Sequence, residues 1–158
     1  MLFWFIGTAI LAVGWVFRDP GFDYRLMIVG SVLPLADGPT GGVGPLHSVT
    51  VSVLLLAVVM FTTRRGGARR RLLLGLPIGM LMHLVFDAAW ADTDVFWWPF
   101  TGVGFADQNV PVVERGGWSL AMEVIGIGLC VWIVCRNHLT TRPRWQQFLH
   151  DGRLQLIA

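Results

Sequence analysis

Residues 76–100 read LPIGMLMHLVFDAAWADTDVFWWPF, a stretch apolar enough to enter a bilayer that nonetheless holds a histidine and a carboxylate. No other feature constrains the fold as tightly. His83 and Asp87 sit one helical step of i, i+4 apart. On a helix of about 3.6 residues per turn they leave the same face, with Cβ atoms roughly 6 Å apart. Burying an ionisable group in hydrocarbon costs about 2.5–3.5 kcal/mol on insertion scales, and chains that tolerate this cost use the group. The pair has a metal-ligand spacing.

Composition agrees with a membrane setting. Of 158 residues, 54% are hydrophobic and 14% charged, and the mean hydropathy is positive. That balance lies outside the range of soluble globular domains and points to one integral membrane domain. The formal charge of +2 is too small to imply a nucleic-acid partner, and the distribution of charge informs more than its sum. Cys130 and Cys135 lie five residues apart, about 140° around a helix, which suits core positions better than a disulfide or a metal pair. The first seventeen residues lack a basic start and a small-residue cleavage site, so they are expected to be a retained helix.

Along the chain, residues 2–17 predict a short membrane helix closed by Arg18-Asp19-Pro20-Gly21, a turn that no helix crosses. Residues 24–36 are too few to span and predict a half-helix or steeply tilted helix. Residues 37–45, DGPTGGVGP, predict an irregular loop, and residues 46–63 a spanning helix with His47 in its first turn. Five arginines then fall within residues 64–71, a cytoplasmic signal under the positive-inside rule. With that loop inside, residues 72–91 run outward, 92–117 form an external loop and 118–135 return. The expected fold is an all-α polytopic membrane bundle of four to five transmembrane or partly spanning helices. The membrane domain covers 1–135, with external loops at 37–45 and 92–117. Residues 136–158 are a cytoplasmic tail, either an interfacial amphipathic helix or a frayed end. The expected location is the plasma membrane, with eleven of twelve arginines inside. The N-terminus is placed outside; the alternative keeps it inside and lays residues 24–36 along the outer surface.

On this topology Asp37, His47, His83, Asp87 and Glu123 share one stratum near the external face. Imidazole and carboxylate together suit zinc, with manganese or iron as alternatives. Asp37, His47, His83 and Asp87 are the candidate metal ligands. Asp37 and Glu123 are the candidate catalytic residues, Asp37 as a fourth ligand or general base and Glu123 as an orienting partner. Blander roles exist for each: a core hydrogen bond for a histidine, a turn cap for Asp37, an indole or hydroxyl partner for Glu123. Asp92 and Asp94 read as loop charges, Asp19 and Asp23 as local partners of Arg18 and Arg25, and His138 and His150 as surface residues.

The order GSVLPLAD (30–37), a glycine-rich loop ending in Leu46-His47-Ser48, then Gly79 to His83 and Asp87, then Trp98-Pro99-Phe100, resembles the YdjM-type predicted membrane-bound metal-dependent hydrolases. That family's pattern is G-x-x-x-P-D-x-D, H-R-G-x-T-H-S, H-x-x-x-D and a following P-F. The likeness covers about half the chain, residues 24–100. It implies a zinc-dependent hydrolase acting on a lipid or phosphoester head group at the outer face, related to helical zinc-dependent phospholipase C. Asp37, His47, His83 and Asp87 match the pattern. Leu35 stands where the family has its first aspartate, and Gly42-Val43-Gly44 where it has H-R-G. Those departures leave either a reduced metal site or a catalytically silent accessory subunit of a larger membrane complex. A proton or ion pathway is a weaker reading, because no polar ladder continues towards the cytoplasm.

Overall fold

The computed structural model describes residues 1–40, 44–102 and 116–156, and these are helical throughout, with no strand among them. The all-α expectation is met. Among the described residues seven α-helices follow in chain order: α1 (Leu2–Phe17), α2 (Tyr24–Val32), α3 (Val49–Thr62), α4 (Ala68–Phe86), α5 (Thr93–Phe96), α6 (Gly117–Arg136) and α7 (Arg142–Asp151). Short 3-10 segments lie at Leu33–Thr40, Pro45–His47 and Ala89–Ala91.

Two helix pairs form the frame, and glycine makes both possible. α2 and α4 approach so closely that a Cβ on Gly30 would strike the Leu76 carbonyl, and one on Gly79 would strike the Met27 carbonyl. The contact advances along both helices together, from Met27 against Gly75 to Ser31 against Gly79, so the two run parallel. Gly75 and Gly79 form the small-xxx-small spacing that lets two helix backbones touch. α1 pairs with α6 in the same way: Gly126 lies under the backbone of Phe3 and Trp4, and Gly7 packs against Leu129. Ala9, Ile10 and Val13 of α1 then meet Met27 of α2 and Ile133 of α6 in the core.

These directions sort the chain ends. The start of α1, the ends of α2 and α4 and the starts of α3 and α6 gather at one end of the bundle. The opposite end holds every arginine among the described residues, on the α1–α2 and α3–α4 turns, the first turns of α2 and α4, the end of α6 and the segment around α7.

The tail folds back onto this arginine end. Phe148 and Leu154 are buried beside Tyr24 and Ile133. The Tyr24 amide donates to the Gly152 carbonyl at 2.9 Å, and Arg25 Nη1 donates to the carbonyls of Leu149 and His150 at 2.7 and 3.0 Å. The tail is therefore docked on the bundle through Phe148, Gly152 and Leu154, while most of its other residues, Trp145 and Leu149 among them, stay exposed.

Among the described residues one helix, α6, is long and apolar enough to cross a membrane, and only 11% of its apolar window is buried. α1 and α3 are shorter apolar helices of 16 and 14 residues. Cys130 and Cys135 are free thiols, but Cys135 is exposed and Cys130 half-buried, so neither fills the core. The centres of the two expected external loops, including Asp107, Glu114 and Arg115, lie outside the described residues.

Candidate metal centre

The end of the bundle away from the arginines holds a buried group of ionisable side chains. α4 supplies two of them. The helix keeps His83 on its inner face and closes at Asp87, whose amide donates to the His83 carbonyl at 2.8 Å. Ala88 then turns left-handed with φ 52° and ends the helix. The i, i+4 spacing thus survives to the last turn. His47 arrives from the 3-10 turn Pro45–His47 rather than from a helix; Ser48 caps α3 behind it by accepting from the Val51 amide at 3.3 Å. The Ser48 hydroxyl also donates to the Trp98 carbonyl at 3.2 Å, tying this turn to the segment after α5.

One donor atom from each of His47, His83 and Asp87 lies within 4.8 Å of the other two, and all three side chains are excluded from solvent. The two imidazoles sit edge to face with centroids 5.4 Å apart. Each has one nitrogen committed elsewhere. His83 Nδ1 lies 2.7 Å from the Ser31 carbonyl, a pure acceptor, so Nδ1 carries the proton and Nε2 offers its lone pair. Pro34, which has no N–H, stands three residues after Ser31, where a 3-10 pattern would otherwise supply a donor to that carbonyl. His47 Nδ1 lies 3.1 Å from Asp37 Oδ2, which makes Nε2 the available nitrogen there too. His47 Nε2 is buried and has no hydrogen-bond partner among the described residues. A buried ring nitrogen left in that state normally costs about 1–3 kcal/mol.

Asp37 therefore sits beside the three-donor group and holds one of its histidines. Its Oδ2 also accepts from the Leu46 amide at 3.0 Å. Gly44 makes room for it, since a Cβ there would lie 2.7 Å from the Asp37 carboxyl carbon. Carboxylate-to-histidine contacts of this kind fix the tautomer and raise the basicity of a metal-binding imidazole.

The structure brings together Asp37, His47, His83 and Asp87, from three separate segments, and places Glu123 elsewhere. Glu123, on α6, accepts from the amides of Leu2, Phe3 and Trp4 at 3.1–3.3 Å. It satisfies the first turn of α1, where Met1 provides no side-chain cap, and its charge complements the helix dipole. Of the blander expectations, Asp23 does pair with Arg25, at 2.6 and 3.0 Å. Asp92 caps α5, accepting from the amides of Asp94 and Val95.

Two contributors to the site gave no usable signal in the sequence. Phe5 stacks on His83 with ring centroids 3.8 Å apart, and Ser31 offers only its backbone carbonyl. Ser31 is the one serine within α2, a weak cue; Phe5 is one apolar residue among many.

The donor set fits a divalent metal of the zinc class. Two neutral imidazole nitrogens and a carboxylate are the ligands of catalytic zinc sites, where bonds of about 2.0–2.2 Å at tetrahedral angles put donor atoms roughly 3.4 Å apart. Drawing atoms now at most 4.8 Å apart to that separation needs side-chain adjustments of about 1 Å. Manganese and iron use the same donors less selectively.

No family model, curated protein or solved structure matches the chain. The likeness to the YdjM-type pattern thus stands on the motifs themselves.

Proposed function

We propose that this protein is a polytopic membrane metalloprotein that hydrolyses a lipid or phosphoester head group at the outer face of the plasma membrane. The observation that carries the metal is the convergence of His47, His83 and Asp87, sealed from solvent, with a buried His47 Nε2 that has no hydrogen-bond partner among the described residues. Three protein donors favour catalysis over a purely structural role. Structural zinc sites close with four protein ligands, whereas catalytic ones use three and keep a position open.

Each residue has a definable task. His47 and His83 present Nε2, Asp87 adds the negative charge, and Asp37 and the Ser31 carbonyl hold the two rings in the required tautomer. Phe5 covers one face of His83 and keeps water from it. A divalent ion held there would supply Lewis acidity towards a phosphoryl oxygen and a lowered pKa for water. Asp37, one residue removed from the ion, is also the base closest to hand.

The membrane reading draws support from two features. Large apolar side chains of α1, α3 and α6 face outward, among them Trp15, Phe61, Trp118 and Leu120, all more than two-thirds or nearly two-thirds exposed. Water penalises such a surface and lipid does not. Among the described residues the arginines cluster at one end and the candidate metal donors at the other, the polarity expected of a chain with its arginine end in the cytoplasm.

The accessory-subunit reading keeps one argument: the same outward apolar faces of α3 and α6 suit packing against other membrane helices as well as lipid. Reconstitution separates the two. Metal-loaded protein in phospholipid vesicles should release phosphorylated head group, and a His47→Ala/His83→Ala variant should fall to background. Background rates for the wild type with phospholipid and phosphomonoester substrates, together with co-purification of a stoichiometric membrane partner, would replace the hydrolase by the subunit.

A further inference from the structure

The arginine end of the bundle contains a second site. A cleft of about 320 Å³ opens between the first turn of α4, the α1–α2 turn and the end of α7. Arg25, Arg69, Arg71 and Arg153 line it, with Asp23, Asp151 and His150. The acids are already engaged: Asp23 takes the Arg25 guanidinium in a two-point contact at 2.6 and 3.0 Å, and Asp151 accepts from the Arg153 amide at 3.1 Å. The side chains of Arg69, Arg71 and Arg153 are exposed and make no ion pair or hydrogen bond among the described residues. Four guanidiniums against two carboxylates leave the cleft with a surplus of two positive charges. α4 adds to this field, because its N-cap, Gly67, offers no side chain to its first amides.

The cleft is also held in shape. A Cβ on Gly152 would strike the Asp23 carboxylate, its φ of 69° favours glycine, and the Tyr24 amide clasps the Gly152 carbonyl at 2.9 Å. The tail is thus strapped to the start of α2, which brings Arg153 to the cleft that Arg69 and Arg71 also line.

We propose that this cleft binds a phosphomonoester dianion, offered by the head group of an anionic membrane lipid such as phosphatidate. Planar guanidinium forks match phosphate oxygens in two-point contacts, and a doubly negative group neutralises the surplus. Basic pockets at the cytoplasmic ends of membrane helices recognise lipid phosphates through this chemistry. The lipid source rests on the membrane reading above; the phosphate chemistry of the cleft does not.

Native mass spectrometry of the full chain in detergent tests the assignment, with phosphatidate and phosphatidylcholine as probes. The wild type should retain one phosphatidate in preference to phosphatidylcholine. Affinity should fall about fivefold for each arginine removed and about a hundredfold in R69Q/R71Q/R153Q. R136Q/R144Q, which removes the same kind of charge from the neighbouring surface, should bind as the wild type does. If the triple variant does not accumulate, R71Q alone should show the fivefold loss. Should the wild type ignore phosphatidate but gain thermal stability from millimolar inorganic phosphate, with the gain lost in R69Q/R71Q/R153Q, the phosphate site stands and its lipid source is wrong. Equal retention by the wild type and the arginine variant, equal loss in R136Q/R144Q, or no response to either probe overturns the proposal. Metal content measured on the same samples should not change, so this result and that for the metal centre are read separately.

Discussion

Each histidine of the centre has two nitrogens, and a neighbouring acceptor decides which one faces inward. For His47 the acceptor is the Asp37 carboxylate and for His83 the Ser31 carbonyl. The two are not equivalent experimentally, because only the carboxylate can be changed by mutation. Asp37→Asn keeps the volume and the contact with the Leu46 amide but loses the charge that orients and strengthens His47. Metal affinity should drop about 10- to 100-fold while the helical circular dichroism stays the same. Competition with a chromophoric chelator measures it; unchanged affinity would show that Asp37 plays no part in holding the ligand. Asp37, His47, His83 and Asp87 were all legible in the sequence, because ionisable residues stand out in apolar segments. Their division of labour was not. Whether a carboxylate reaches a metal or the far side of a histidine depends on a loop geometry that Gly44 permits and that no spacing rule encodes. Glu123 shows the converse: its depth along a helix matched the other ligands, but depth does not fix azimuth, and its side chain faces the start of α1.

At the scale of elements, the α2–α4 contact is what keeps the centre in register. The spacing that brings Gly79 against Met27 and Ser31 also delivers His83, one turn on, to the Ser31 carbonyl. A methyl at Gly79 meets backbone atoms, among them the Ser31 nitrogen at 2.7 Å, which cannot move aside as a side chain would. Gly79→Ala should therefore cost about 1–3 kcal/mol or more, and weaken metal binding with it. Gly128 is the matched control, since a Cβ there has no heavy atom within 4 Å. Gly128→Ala should be neutral or stabilising by up to about 1 kcal/mol. Thermal unfolding in detergent gives both values, and equal effects would mean that the close approach does not matter. The helices themselves were foreseen from their apolar runs and from Pro20, Gly21 and the 64–71 turn. Several extents differ: α2 ends at Val32 and passes into a 3-10 segment, and α3 begins at Val49 and leaves His47 in the 3-10 turn before it. The three arginines at 69–71 join the first turn of α4 rather than a loop, and α4 ends at Phe86, short of the expected residue 91, because Ala88 turns left-handed. The parallel glycine-mediated pairing was present as Gly75-x-x-x-Gly79 but reads the same for a lipid-facing or a helix-facing surface until a partner is known.

For the whole molecule, the separation of the described arginines from the candidate metal donors predicts which end meets which compartment. In a C130S/C135S background, a cysteine at Thr101 should react with a membrane-impermeant thiol reagent added to intact cells. One at Arg65 should react only after the cells are opened. The reverse pattern would invert the topology and move the centre to the cytoplasmic side. Composition made an all-helical chain legible, but the span count was less so. α1 has the expected bounds, whereas α3 is shorter than the expected 46–63 because the 3-10 turn Pro45–His47 takes up residues that hydropathy alone assigns to the span. The tail's docking depended on Phe148, Leu154 and Gly152 meeting residues more than a hundred positions away, which local pattern does not report.

All of this turns on whether His47, His83 and Asp87 bind an ion. Elemental analysis of detergent-purified protein decides it: the wild type and Glu123→Gln should each carry about one equivalent of a zinc-class metal, and His83→Ala none. A wild type without metal at neutral pH, or a His83→Ala variant that keeps its full complement, would contradict the account.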